Sequence, residues 1–98
     1  MDPAAVQLSP VLDLTAAAAL AAELLPYRGR PLSIDASQVQ RLGGQCLQVL
    51  LSAEHTWQAD GAAFAIADPS DRFLADWRLF GAPDFTADPS PVATEFQP

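Results

Sequence analysis

The chain has 98 residues, half of them hydrophobic and 17% charged, with 12 acidic against 5 basic side chains for a net charge of -7 and an isoelectric point near 4.2. A chain of this length buries roughly 60–65% of its unfolded surface, which supports one core and leaves no room for a second domain. There is no lysine, and five scattered arginines form no phosphate-tracking surface, which argues against nucleic acid or an anionic membrane face as a partner.

Cys46 has no second cysteine for a disulfide, and with a single histidine, His55, there is no zinc ligand set, so neither a metal nor a cofactor is expected. The lone thiol suggests a reducing compartment. No window approaches the ~20 apolar residues of a membrane helix. The opening Asp2-Pro3 does not read as a secretory signal, so the expected location is the cytoplasm.

In chain order, Val6-Gln7-Leu8 partly alternates as a half-buried strand does, and Val11 and Leu12 resume it after Pro10, which places this strand at a sheet edge or a bend. Asp13 or Thr15 can cap the alanine run Ala16 to Leu25, in which Leu14, Ala17, Ala21, Leu24 and Leu25 fall on one face at helical spacing, and Pro26 ends it. After the turn from Tyr27 to Pro31, Leu32-Ser33-Ile34-Asp35-Ala36 alternates cleanly as a strand with Leu32, Ile34 and Ala36 inward. Gly43-Gly44 then opens a second helix whose stripe is Cys46, Val49, Leu50, Ala53 and Trp57. Asp60-Gly61 is a turn, and the apolar run Ala63 to Ala67 suits a strand covered on both faces. Ser70 is placed to cap a third helix, with Asp71 in its first turn and Phe73, Leu74, Trp77 and Phe80 on its apolar face up to Gly81.

Residues 82–98 carry four prolines among acids and small polar residues, so only Asp84-Phe85-Thr86 is a candidate last strand and the final eight residues are expected to be mobile. Residues 60–98 hold seven acids and two arginines, a net of -5, against -2 for residues 1–59. The alternation of strands and helices predicts an α/β fold: a single small domain with a mixed, mostly parallel sheet of about four strands covered by three to four helices, more on one face than the other.

No catalytic constellation converges. His55 reads as a solvated helix residue and Cys46 as a small buried hydrophobe, so no enzyme is expected. Gly43-Gly44 lacks the Lys and Ser/Thr of a phosphate loop and reads as a tight strand-to-helix turn. Trp57 and Trp77, each at helical spacing from other apolar residues, read as core.

The stretch Ile34 to Ala53, with Ile34-Asp35-Ala36-Ser37 as a hydrophobic-Asp-x-Ser strand end and a glycine loop opening the next helix, resembles a STAS domain, the family of anti-sigma factor antagonists and sulphate-transporter tails. The resemblance runs from about Val6 to Gly81, through Val6 to Asp13 upstream and Phe64 to Ser70, Phe73 and Phe80-Gly81 downstream. It implies a STAS-like domain over residues 1–81 with the acidic, proline-rich tail outside it. Where the family places Asp-Ser-Ser-Gly, this chain has Gly43-Gly44-Gln45-Cys46, so Gln45 takes the usual phosphoacceptor position and cannot be phosphorylated. Ser37 lies several residues away and is a poor substitute.

The function implied is a non-enzymatic interaction module that is constitutive or regulated otherwise, docking a protein through Ser37, Gly43, Gly44, Gln45, Gln48 and Ser52. The resemblance offers an anti-sigma kinase or phosphatase circuit, a chemotaxis complex, or a lipid-transport ATPase assembly as the partner. A reading of a different class is a small-ligand sensor or carrier with an apolar pocket lined by Trp57, Phe64, Trp77 and Phe80.

Overall fold

A computed structural model describes residues 3–82. Strand β1 (Ala4–Gln7) stops ahead of Pro10, which has no N–H to give a ladder, and the chain resumes as the two-residue strand β2 (Val11–Leu12). Asp13 then caps: its Oδ1 accepts from the Thr15 and Ala16 N–H groups at 3.1 and 3.2 Å and from the Thr15 hydroxyl at 2.7 Å. A 3-10 turn over Leu14–Ala16 leads into α1 (Ala17–Leu24), and a second over Leu25–Tyr27 ends it. There follow β3 (Leu32–Asp35), β4 (Arg41–Leu42), α2 (Gly44–Ala59), β5 (Phe64–Ala67) and α3 (Asp71–Leu79). The Ser70 Oγ accepts from Phe73 N–H at 3.0 Å and donates to the Val39 carbonyl at 2.6 Å, so the expected cap also ties α3 to the segment leading into β4.

The fold is α/β with parallel pairing throughout, in two ladders: β1-β3-β5 and, apart from it, β2-β4. The single sheet of about four strands expected from the sequence is thus five short strands. The break at Ser9-Pro10 is what splits off the second ladder, in which Leu12 lies beside Leu42. In the first ladder Val6, Ile34 and Ile66 lie abreast. Strands ordered 1-3-5 and joined by right-handed crossovers put both crossover helices on one face. Burial agrees. Val6, Leu32, Ile34 and Ile66 are buried, whereas the opposite face carries Ala5, Gln7, Ser33, Asp35, Ala65 and Ala67, all exposed or half-exposed. Among the described residues the sheet is therefore covered on one side. Strand β5 is an edge strand with only Ile66 fully buried, not the doubly covered strand its apolar run suggests, because Ala65 and Ala67 belong to the uncovered face.

The core joins Leu20 and Leu24 of α1 to Cys46, Leu47, Leu50, Ala53 and Trp57 of α2 and to Phe73 and Trp77 of α3. Trp57 donates its indole N–H to the Arg30 carbonyl at 2.8 Å and meets the Phe64 ring at 5.6 Å, while Trp77 stacks on Phe73 at 5.5 Å. The α1 face differs from the expected one: Leu20 is buried, and Leu14, Ala21 and Leu25 point out. In a run of alanine and leucine the spacing singles out no face, and the buried one is centred on Leu20 and Leu24, which leaves Leu14, Ala21 and Leu25 outside it. On α2 the fifth inward position is Leu47, and Val49 is half-buried. Phe80, expected on the apolar face of α3, is its C-cap and is half-exposed. The expectations for Asp84-Phe85-Thr86 and for the last eight residues lie outside the described residues.

Candidate functional site

The loop into α2 is shaped by the chain's own packing. Gly43 is the N-cap, extended at φ -87° and ψ 164°, and its N–H donates to the Leu12 carbonyl at 2.8 Å. A Cβ at this position would stand 2.9 Å from that same carbonyl oxygen, so the close approach of β2 requires glycine here. At Gly44 a Cβ would make ordinary contact with the Phe80 ring, at 3.5 Å. The Gly-Gly pair is therefore explained first by β2 and α3. Having no side chain, the Gly43 cap leaves the first-turn N–H groups of α2 without a side-chain acceptor.

Gln45, Gln48 and Ser52 recur at i, i+3 and i+7 on α2 and are all exposed. They line one wall of a groove of about 340 Å³ whose other wall is Leu24 and Leu25 at the end of α1, with Val49 and Trp57 at its floor. A second concavity, of about 380 Å³, lies on the other side of the loop, bounded by Leu14, Arg41, Gly43, Asp76, Leu79 and Phe80. The first turn of α2 thus divides two concavities. Among the described residues the large apolar side chains that are exposed are Leu79 (79%), Leu14 (70%), Leu25 (67%), Phe80 (49%) and Val11 (45%). Leu25 lines the first concavity, and Leu14, Leu79 and Phe80 line the second. Val11 lies beside Arg41 in the β2-β4 pair.

The charged groups at this surface are largely committed. Hydrogen bonds from the Thr15 hydroxyl and the Ala16 and Thr15 N–H groups hold the Asp13 carboxyl below the ordinary carboxylate range. Asp76 accepts from the Leu42 N–H at 2.9 Å and meets Arg72 at 3.4 Å. Arg28, at the rim of the first groove, is paired with Asp60 at 2.9 Å, which raises its already high pKa. The Arg41 backbone N–H donates to the Pro10 carbonyl at 3.1 Å, while its guanidinium makes no hydrogen bond or ion pair among the described residues.

Of the residues singled out from the sequence, the structure brings Gly43, Gly44, Gln45, Gln48 and Ser52 to one region and leaves Ser37 out of it. Ser37 is exposed beyond the end of β3, and its N–H donates to Asp35 at 2.9 Å. The Ser37 side chain, with a smaller contribution from that N–H, holds the Asp35 carboxyl below its ordinary pKa. Sequence reasoning missed Leu14, Leu25, Arg41 and Leu79: the two α1-flanking leucines were read as inward, and nothing local marked the other two. The four aromatics proposed for a ligand pocket are divided, Trp57 lining the first groove and Phe80 the second concavity. His55 is exposed. The Cys46 thiol is buried, with Sγ 3.4 Å from the Asp13 carbonyl, and burial, with a smaller contribution from the Asp13 charge, raises its pKa. Among the described residues no three His, Cys, Asp or Glu side chains cluster to hold a metal, and no helix is long and apolar enough to cross a membrane.

A family model described as Mlab, STAS domain matches residues 1–86, which covers every element of the fold and both concavities. The chain belongs to the STAS family. No curated protein matches it. The parallel sheet, the three helices and the loop before α2 are those of a small STAS domain. STAS domains are generally modules of protein interaction rather than enzymes.

Proposed function

We propose that this STAS domain is a non-enzymatic interaction module, related to anti-sigma factor antagonists, that docks a protein partner around the first turn of α2. One observation supports the reading most strongly: among the described residues, four of the five large exposed apolar side chains line the two concavities on either side of this turn. Apolar surface gathered in one place on an otherwise acidic chain is the usual mark of a docking face. With Gln45 at the usual phosphoacceptor position, no phosphate can be placed there, so docking is constitutive or is governed elsewhere. The partner classes are a kinase or phosphatase of an anti-sigma circuit, a chemotaxis complex and the ATPase of a lipid-transport assembly. A cytoplasmic location follows from any of the three.

The test is affinity capture from native lysate with the tagged full chain and its Gln45→Glu and Leu25→Gln variants. A carboxylate in the first turn of a helix favours the fold by about 0.3–1 kcal/mol, so Gln45→Glu changes the surface without weakening the domain. A captured protein whose recovery drops at least severalfold with either variant is the expected result. Capture that is indifferent to both removes this face from consideration.

A further inference from the structure

The second concavity has a chemical character that the whole chain does not share. The chain carries a net charge of -7, yet the charged residues bounding this concavity are Asp13, Asp76, Arg41 and Arg72, two of each sign. Both oxygens of Asp76 are engaged, Oδ2 by the Leu42 N–H and Oδ1 by Arg72, and Oδ1 of Asp13 accepts from Thr15 and Ala16. Elsewhere Arg28 is held by Asp60, Arg30 lies 5.4 Å over the Tyr27 ring, and Arg78, exposed in the last turn of α3, does not line this concavity. Arg41 is left as an exposed guanidinium with no partner among the described residues, flanked by Val11 on β2 and facing the same concavity as Leu14, Leu79 and Phe80.

From this we infer that the concavity between β4 and the end of α3 takes a protein segment presenting a carboxylate flanked by large apolar side chains. The apolar residues seat against Leu14, Leu79 and Phe80, and the carboxylate pairs with Arg41, whose fork of donors suits a carboxylate better than a point charge would. An acidic segment is repelled by most of this chain's surface, so an unpaired arginine set amid leucines selects where it lands as well as what it contacts. A basic segment finds a ready surface on the acidic remainder of the chain, so nothing directs it to this concavity. The inference rests on the docking reading above and adds to it the chemistry of the partner.

The experiment is selection of a random peptide library displayed on phage against the immobilised full chain, followed by measurement of the enriched peptides on Arg41→Gln, on Leu14→Gln and Leu79→Gln, and on Gln45→Glu. All of these side chains are exposed, so the variants keep the core intact. The expected peptides combine Asp or Glu with large apolar residues and weaken roughly two- to fivefold on Arg41→Gln, the range of an exposed ion pair, and further on the leucine variants. Basic or neutral peptides that are lost on the leucine variants but ignore Arg41→Gln overturn the acidic partner and leave the docking face standing. Peptides indifferent to every variant overturn both. An empty selection overturns the inference alone, since the lysate capture tests the face independently.

Discussion

At the residue scale the two adjacent glycines have separate jobs. Gly43 is required because β2 passes so close that a methyl group would press on a backbone oxygen, which cannot swing aside as a side chain can. Gly44 has only the edge of an aromatic ring nearby, at ordinary contact distance. Gly43→Ala is expected to cost about 1–3 kcal/mol in urea or guanidinium unfolding, through displacement of β2 or of the helix start. Gly44→Ala is expected to stay within about 0.5 kcal/mol or to stabilise slightly, since it replaces glycine in a helical turn. Equal costs at the two positions would mean that the loop is shaped by something other than its contact with β2. The Gly-Gly pair is legible in the sequence as a turn before a helix, but the reason for its first member is not, because the atom that forbids a side chain there is thirty-one residues upstream.

At the element scale, the sequence was informative wherever a local signal coincided with the tertiary one. Strand β3 alternates because one of its faces meets helices and the other does not; α3 announces itself by Ser70 and Asp71 and is capped as those residues suggest. Helix α1 defeated the same reasoning. In a run composed almost entirely of alanine and leucine every helical face is apolar, so periodicity cannot choose one, and the choice falls to which leucine reaches the groove of α2. Leu20→Ala is accordingly expected to cost about 2–4 kcal/mol, and Leu25→Ala under about 0.5 kcal/mol, read from denaturant midpoints at constant slope. The reverse order would restore the face inferred from spacing. Val11 and Leu12 are legible as strand resuming after Pro10, but their pairing with β4 is not, and β4 itself leaves no signal. Two residues are too few to show alternation, and the pair exists only because Leu12 and Leu42 meet under α3.

At the scale of the whole molecule, the buried residues of the described region are all hydrophobic, and its ionisable side chains lie at or near the surface, apart from one thiol. Stability should therefore change little near neutrality and respond to acid through the carboxylates that cap turns. Asp13 and Asp35 both ionise more readily folded than unfolded, held by Thr15 and by Ser37 respectively. Depressed folded pKa values mean that their contribution is present above about pH 4, where an unfolded aspartate is charged, and is lost as pH falls through the lower folded values. A thermal-melt series from pH 7 to about pH 2.5 should show a falling acid limb that is shallower in Asp13→Asn and Asp35→Asn, and identical limbs in all three proteins would remove these caps from the account. The remaining thiol has a different use. Cys46 is the only one in the chain and is fully enclosed between α2 and the turn after β2, so a thiol reagent reaches it only when that part of the fold opens. Labelling kinetics at Cys46 thus count excursions of the α2 start away from β2, and a partner seated on the loop would register as a slower clock without any label having been engineered into the docking face.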